Sequence, residues 1–474
     1  MKYYCLVVLL WALLLQPLTA QITDSTITYE QYLAQVYEYH PIAKQINLQR
    51  NAARLKLVKA QAAFDPNLNA QWDSKQFKDK RYYDVLNAHL DVPIWNGIAA
   101  EVGYNYNVGY YLNPEHKVPQ DGQAYFGIKV SLLKGLWTDD RRVSIQQAKL
   151  LGQSSEIDIQ LALNDLMYEA GKSYWDWTKS YNQWKITSES LGLLQEQFEI
   201  TKKLSKQGDL PAIDTLKAFI QVQDRTILLQ QYLLELQNTT RKASLYLWDS
   251  TAAPLEINPM ATFPVILIAN NVTPLDEEVL TSRLAAAENH PFLQYYDFKM
   301  QSLAIDRRLK INKLLPKLDV KYNFLATDQF AFYEGEYGGP TENYKLGVKF
   351  SVPIFLRKER MDLQLNTLKQ REVGYSIIAK KQDLQIKIAN YFNEIQSYAT
   401  QTELTVSMVA NYQTLLEAER TKFNFGESSI FLVNTRESQL LDARQKLVKQ
   451  QINYLKSKTA FSWSAASFEY GATN

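Results

Sequence analysis

The chain has 474 residues, with 52 Lys+Arg against 50 Asp+Glu and 46% hydrophobic residues, and its mean hydropathy is −0.31. That length leaves room for about three ordinary domains, the balanced charge excludes the clustered basic surface of a nucleic-acid binder, and the low hydropathy excludes a bundle of membrane-spanning helices. Yet aromatics reach 12%, with 30 Tyr, 9 Trp and 19 Phe, more tyrosine than an ordinary soluble domain has reason to carry.

Residues 1–20 read as a signal peptide. Lys2 supplies the positive start, 6–15 is an apolar run too short to span a bilayer, and Leu18-Thr19-Ala20 precede a cut at Gln21. An uncleaved anchor helix is the alternative. The one cysteine, Cys5, lies ahead of that run, a poor place for a lipid anchor. The mature chain therefore has no disulfide and no cysteine-bound metal.

From Pro66 the residues alternate. Leu68, Ala70 and Trp72 fall on one side, Asn67, Asn69, Gln71 and Asp73 on the other, as on a two-faced strand. The same period runs through 86–94, 100–110 and 124–132 and puts Tyr104, Tyr106 and Tyr110 in one line. Each segment is about the 9–11 residues that a tilted strand needs to cross a bilayer. Apolar outside, polar inside and tyrosines near the segment ends make the pattern of an outer-membrane barrel. A soluble sandwich with one wet face is the alternative.

No proline occurs between Pro119 and Pro211, and 139–206 reads as one helix about 100 Å long. Ile159, Leu163, Leu166, Ala170, Trp177, Trp184, Leu191, Leu194 and Phe198 step by threes, fours and sevens, the spacing of a coiled-coil seam. The two tryptophans read as packing residues. Gly208 ends the helix, and after Asp209-Leu210-Pro211 a return helix runs through Ile213, Leu216, Ile220 and Ile227. Pro254, Pro259, Pro264 and Pro274 then mark a linker.

The second half echoes the first. His40-Pro41 returns as His290-Pro291 and Pro66-x-Leu68 as Pro316-x-Leu318, both 250 residues on. Gly127–Ser131 returns as Gly347–Ser351 at 220, and Gly208 as Gly426 at 218. The difference between 250 and 220 is a 30-residue insertion in the first half, and it carries segments 86–94 and 100–110. Leu318, Val320, Tyr322 and Phe324, then Tyr344, Leu346, Val348, Phe350 and Val352, supply two more strands. A second long helix, 357–423, has a seam at Ile377, Leu384, Ile388, Tyr391, Ile395 and Tyr398. After Gly426 and Glu427, Ser428 or Ser429 caps the return helix, which passes Leu440, Leu447 and Tyr454. The predicted organisation is a signal peptide 1–20; a first repeat 21–248 with strands 66–134 and a helical hairpin 139–247; a proline-rich linker 249–274; a second repeat 275–461 with strands 316–354 and a hairpin 357–460; and a tail 462–474. Six strands cannot close a barrel alone, and an open edge cannot sit in lipid, so copies of the chain must pool their strands.

No H-E-x-x-H, G-x-S-x-G or phosphate-cradling loop occurs. His40, His89, His116 and His290 form no motif. The reading is a protein that is not an enzyme and needs no cofactor or metal.

In this order, the HP starts, P-x-L strand entries and tip glycines resemble the TolC-type outer-membrane efflux family over roughly 26–461. The resemblance implies a membrane α+β fold: a homotrimer whose shared outer-membrane β-barrel continues into a long α-helical coiled-coil barrel in the periplasm, with two tandem repeats per chain. It implies a passive duct of a tripartite efflux or type I secretion system, joined to a periplasmic adaptor (membrane fusion) protein and an inner-membrane transporter. Gly208, Asp209, Asp214, Gly426, Glu427 and Arg436 are then expected at the tunnel tip, in gating or adaptor contact; helix-dipole compensation is the alternative for the tip acids. Trp72, Tyr104, Tyr106, Tyr110, Tyr322 and Tyr344 are expected to face lipid. Two departures stand out. Familiar members put two strands in each half, so the insertion adds either two wall strands or an external hairpin. Familiar carboxylates six and nine places after the second tip glycine are here Leu432 and Thr435, whereas Asp214 holds the sixth place in the first half. A periplasmic coiled-coil adaptor without a barrel is the rival reading, and it has no use for the alternation.

Overall fold

The computed structural model describes residues 26–258, 263–264, 272–327, 330, 332 and 341–468. The signal-peptide reading, Cys5 and Pro259 lie outside the described residues. The chain divides into two compact units, one holding residues to Leu48, Asp158–Leu293 and from Lys380 onward, the other Gln49–Ile157 and Gln294–Ala379.

The regular structure described in the first unit is helical, with one short parallel pair of β1 (Thr26–Ile27) and β6 (Phe263–Pro264). Helix α1 (Tyr29–Tyr39) opens with a capping box: Thr28 Oγ1 accepts from the Gln31 N–H, and Gln31 Oε1 accepts from the Thr28 N–H. It stops at His40 because Pro41 starts a new helix, α2 (Pro41–Gln61). Proline suits a first helical position, where no N–H is needed, and His40 Nδ1 accepts the next N–H, from Ile42, at 3.2 Å. Downstream, α5 (Glu277–Ala286) is followed by α6 (Pro291–Lys313), and His290 Nδ1 accepts the Phe292 N–H at 3.1 Å. Both histidines that the sequence pairs are therefore helix caps.

Capping by Nδ1 requires a neutral acceptor. Burial, then the Lys380 ammonium, holds the His290 pKa down at about 4 from 6.5. The unfolded chain thus binds the proton first as pH falls, so the cap's stabilisation is complete above about pH 6.5 and is lost as pH drops toward 4. Between pH 7 and pH 5 the loss is about 2 kcal/mol. The urea midpoint should fall over that range in the native chain, and His290→Asn should flatten the dependence.

Two helices of 68 residues dominate the chain: α3 (Asp140–Gln207) and α7 (Arg357–Asn424). Asp139 Oδ1 accepts from the Arg142 N–H at 2.7 Å and fixes where α3 begins. Return helices α4 (Ala212–Ser244) and α8 (Ile430–Ser464) follow, the latter capped by Ser429. The helical core gathers Trp177, Tyr32, Val36, Tyr174, Leu236, Leu247 and Ile452. Leu255 and Ile257 are buried in the same cluster, so the first part of the stretch read as a patternless linker packs into the core.

Among the described residues the second unit holds one antiparallel sheet. Its strands are β2 (Asn67–Phe77), β3 (Lys80–Pro93), β4 (Ile98–Val108), β5 (Gln123–Ser131), β7 (Lys317–Leu325) and β8 (Tyr344–Ser351), hydrogen-bonded in that order. The inserted segments are β3 and β4, in the body of the sheet and not in an external hairpin. Two observed strands differ in extent from the alternation: β3 starts at Lys80, and β4 stops at Val108, so Tyr110 lies beyond it, after Gly109.

Candidate functional site

Two places carry the expected functional residues, the sheet and the hairpin turns. On the sheet, strand register aligns side chains into rows across all six strands. Leu68, Leu90, Val102, Phe126, Phe324 and Tyr344 make one row; Asn67, Asp91, Glu101, Gly127, Asn323 and Lys345 make another on the opposite face. Burial runs contrary to that of a soluble sheet. The apolar row is open, with Leu68 73% and Val102 50% exposed, whereas Glu101 on the polar face is only 7% exposed, and Asp319 and Asn323 are also buried. Glu101 is held by the Tyr125 hydroxyl at 2.5 Å and the Lys321 ammonium at 2.6 Å. The Tyr125 ring lies over Gly103, where no side chain competes for the space. A polar network therefore fills the inner side, and large apolar side chains face outward.

Trp72, Tyr106 and Tyr344 are exposed on the outer face, and Tyr322 stacks on Tyr344 with ring centroids 5.5 Å apart. Tyr104 is half-buried and its hydroxyl donates to the Asp121 carbonyl. Tyr110 is exposed in the turn after β4, outside the strand.

The two hairpin turns are built alike. Gly208 has φ 89° and Gly426 φ 78°, the left-handed region. No neighbour would touch a Cβ at either, so backbone conformation alone selects glycine. The Asp209 N–H reaches back to the Leu204 carbonyl (3.0 Å), and the Glu427 N–H to that of Lys422 (2.9 Å). These closures satisfy carbonyls that each long helix leaves open.

Around the turns the expected charges have partners. Asp214 pairs with Lys217 at 3.1 Å. Arg436 pairs with Glu419 at 3.4 Å, and Ser428 donates to the same carboxylate at 2.5 Å. The Ser428 hydroxyl, then Arg436, hold the Glu419 pKa below its usual value. Leu432 and Thr435 stand on the first turns of α8 without a carboxylate. Glu427 is exposed.

Four charged residues escaped the sequence reading. Buried Glu437 accepts from Arg420 (2.5 Å) and from Gln197 of the other hairpin (2.5 Å). Buried Arg225 donates to Ser190 and, at 3.5 Å, to Ser438; burial lowers its pKa from the usual value, opposed by Asp442 and Glu437. These form a polar layer joining α3, α4, α7 and α8, whereas Glu419, the fourth, pairs with Arg436 instead. A signal existed: Glu437 sits in phase with buried Ile430, Val433 and Leu440, and a charge on a heptad seam marks a specified contact.

On helix α4 the apolar residues Ile213, Leu216, Ile220 and Ile227, through which the return helix runs, are all about half exposed. The buried side carries Ala218, Arg225, Leu236, Thr240 and Ala243. Between α3 and α4 near the turn lies a groove of ≈ 520 Å³, lined by Phe198, Lys202, Lys206, Leu216 and Phe219 among others.

Comparison with known proteins agrees with this geometry. Residues 284–462 match the family described as Outer membrane efflux protein. No curated protein sequence matches the chain. Among solved structures, the chain is similar to the Vibrio cholerae outer membrane protein VceC (12% identity, TM-score 0.66, 94% of this chain and 97% of that one). It is likewise similar to the Campylobacter jejuni outer membrane channel CmeC (12%, 0.64, 95% and 90%) and the outer-membrane channel OprN (13%, 0.64, 94% and 94%). At such identity these likenesses establish the fold.

Proposed function

We propose that the chain is the passive outer-membrane duct of a tripartite export machine, a reading supported by the match of residues 284–462 to the family described as Outer membrane efflux protein. The single observation that carries the reading is the reversed sheet, whose apolar face is largely exposed and whose polar face is buried along the central strands at Glu101, Asn107, Asp319 and Asn323. Such a surface is unstable against water and matches a lipid exterior around a wet lumen. The duct does no chemistry. It sits in the outer membrane with its helices in the periplasm, and an inner-membrane transporter supplies the energy through a periplasmic adaptor.

Three copies share the barrel. Ile213, Ile220 and Ile227 recur every seven residues and are about half exposed, as expected of a helix that packs on another copy. The histidine caps and like-built turns support two tandem repeats. The groove beside Phe198 and Leu216 is the proposed seat of the adaptor, next to Gly208, Asp209 and Asp214. The Glu419–Arg436 pair, with the Glu437 layer behind it, holds the tip closed.

Fractionation tests the function: the mature protein should partition with outer membranes, and recovery as a soluble periplasmic monomer would end the reading. A second test addresses the tip. Glu419→Gln and Arg436→Ala should each raise single-channel conductance in planar bilayers severalfold. Unchanged conductance in both variants would remove the pair from gating.

A further inference from the structure

Building on the shared-barrel reading, the two free edges of the sheet fix how one copy joins the next. We propose that β8 of one copy pairs antiparallel with β2 of its neighbour in the register that sets Lys345 opposite the neighbour's Asp73.

Strands β2 and β8 are the sheet's outermost strands, and each would expose unpaired backbone in lipid, where every such group must be satisfied. Head-to-tail pairing of one edge with the other closes a ring, and three copies of six strands give eighteen. Three constraints then choose the register.

The first is facing. Opposed residues share a face. Leu68, Ala70 and Trp72 point outward with Leu346, Val348 and Phe350, so even-numbered residues must oppose even-numbered ones. The second is overlap. With β2 at 11 residues and β8 at 8, only two such registers pair the whole of β8 within β2. In one, Ser351 opposes Asn67, Lys349 opposes Asn69, Gly347 opposes Gln71 and Lys345 opposes Asp73. In the other, shifted by two, Lys345 opposes Lys75.

The third constraint is chemistry. Like charges directly opposed destabilise a strand pair, whereas opposite charges stabilise it. The shifted register also runs β8 over the irregularity between Lys75 and Gln76 and sets Leu346 against Ser74. The chosen one matches Leu346 with Trp72, Val348 with Ala70 and Phe350 with Leu68. Among the described residues neither Lys345 nor Asp73 has an ion-pair partner; Asp73 accepts only from Gln71, at 2.8 Å. Within one sheet Lys345 shares a row with Asn67, so the joint climbs six residues across six strands. That is a tilt of about 35°, within the range of membrane barrels.

Cysteine pairs in the mature chain, which is otherwise free of cysteine, test the register. Asn69→Cys with Lys349→Cys and Ala70→Cys with Val348→Cys sample both alternating kinds of antiparallel pair. Gln71→Cys with Lys349→Cys and Trp72→Cys with Val348→Cys report the shifted register. Oxidation in outer-membrane vesicles should give covalent trimers from one or both of the first pairs and none from the second. Diagonal, off-register neighbours lie ~7–8 Å apart, their Cβ atoms somewhat less, still beyond the ~3.5–4.5 Å between Cβ atoms of a disulfide. Trimers linked through the second pairs, or native trimers that no pair links, overturn the register and leave the shared barrel standing; native monomers overturn the barrel itself. In addition, Lys345→Asp should lower the temperature at which native trimers dissociate, and adding Asp73→Lys in the same chain should restore it. Failure to restore counts against the pair.

Discussion

Trp177→Ala is expected to destabilise the helical unit by about 3–5 kcal/mol, the usual cost of emptying a buried tryptophan site. Trp177 is 0% exposed and is the largest of the fully buried side chains. It lies where α1, α3, α4 and α8 bring Val36, Tyr174, Leu236 and Ile452 into one cluster, with the Tyr174 ring edge-on at 5.8 Å. Packing density makes such a site unable to collapse, so a residual cavity adds to the lost transfer energy. Among the described residues the indole Nε1 has no hydrogen-bond partner, so Trp177→Phe removes volume without breaking a bond and should retain most of the stability. Urea midpoints of the three proteins, read by far-UV circular dichroism, settle the matter. An alanine variant within about 0.5 kcal/mol of the native chain would mean that the seam does not rest on this side chain.

Much of this architecture was legible because its signals are local. A strand period of two, a heptad step and a glycine after a proline-free run each depend on neighbouring residues, and α3 and α7 begin and end within a residue or so of the expected bounds. What sequence does not carry is which face of an element meets which neighbour. Helix α4 has a convincing apolar stripe, but its own chain buries the side with Ala218, Arg225 and Thr240 and leaves the stripe about half exposed. Arg225 looks solvated in sequence and Glu437 shows only its phase on the helix seam; their shared buried layer exists only where four helices meet. Leu255 and Ile257 were hidden by prolines that stop a helix without stopping burial. The tip charges were found as residues, but their partners were not: Asp214 meets Lys217 three places along its helix, whereas Arg436 meets Glu419 across the turn.

The reversed sheet makes a prediction that no soluble fold shares. Val102→Lys puts an ammonium in the middle of the outer row, between Leu90 and Phe126. If that face meets hydrocarbon, the change costs about 2–4 kcal/mol, the range for lysine near the bilayer midplane. Asn105→Lys, three residues along the same strand, falls on the inner face opposite Asn87 and Gln123. There the ammonium stays in the wet lumen, and the expected change is within about 0.5 kcal/mol. Urea titration of each protein refolded into lipid vesicles measures the difference. For a soluble sandwich the order reverses: lysine at exposed Val102 costs little and relieves an apolar patch, whereas lysine beside the buried polar network at Glu101 and Asn107 crowds groups that are already paired. The sign of the difference between these two variants therefore reports which face of the sheet is wet.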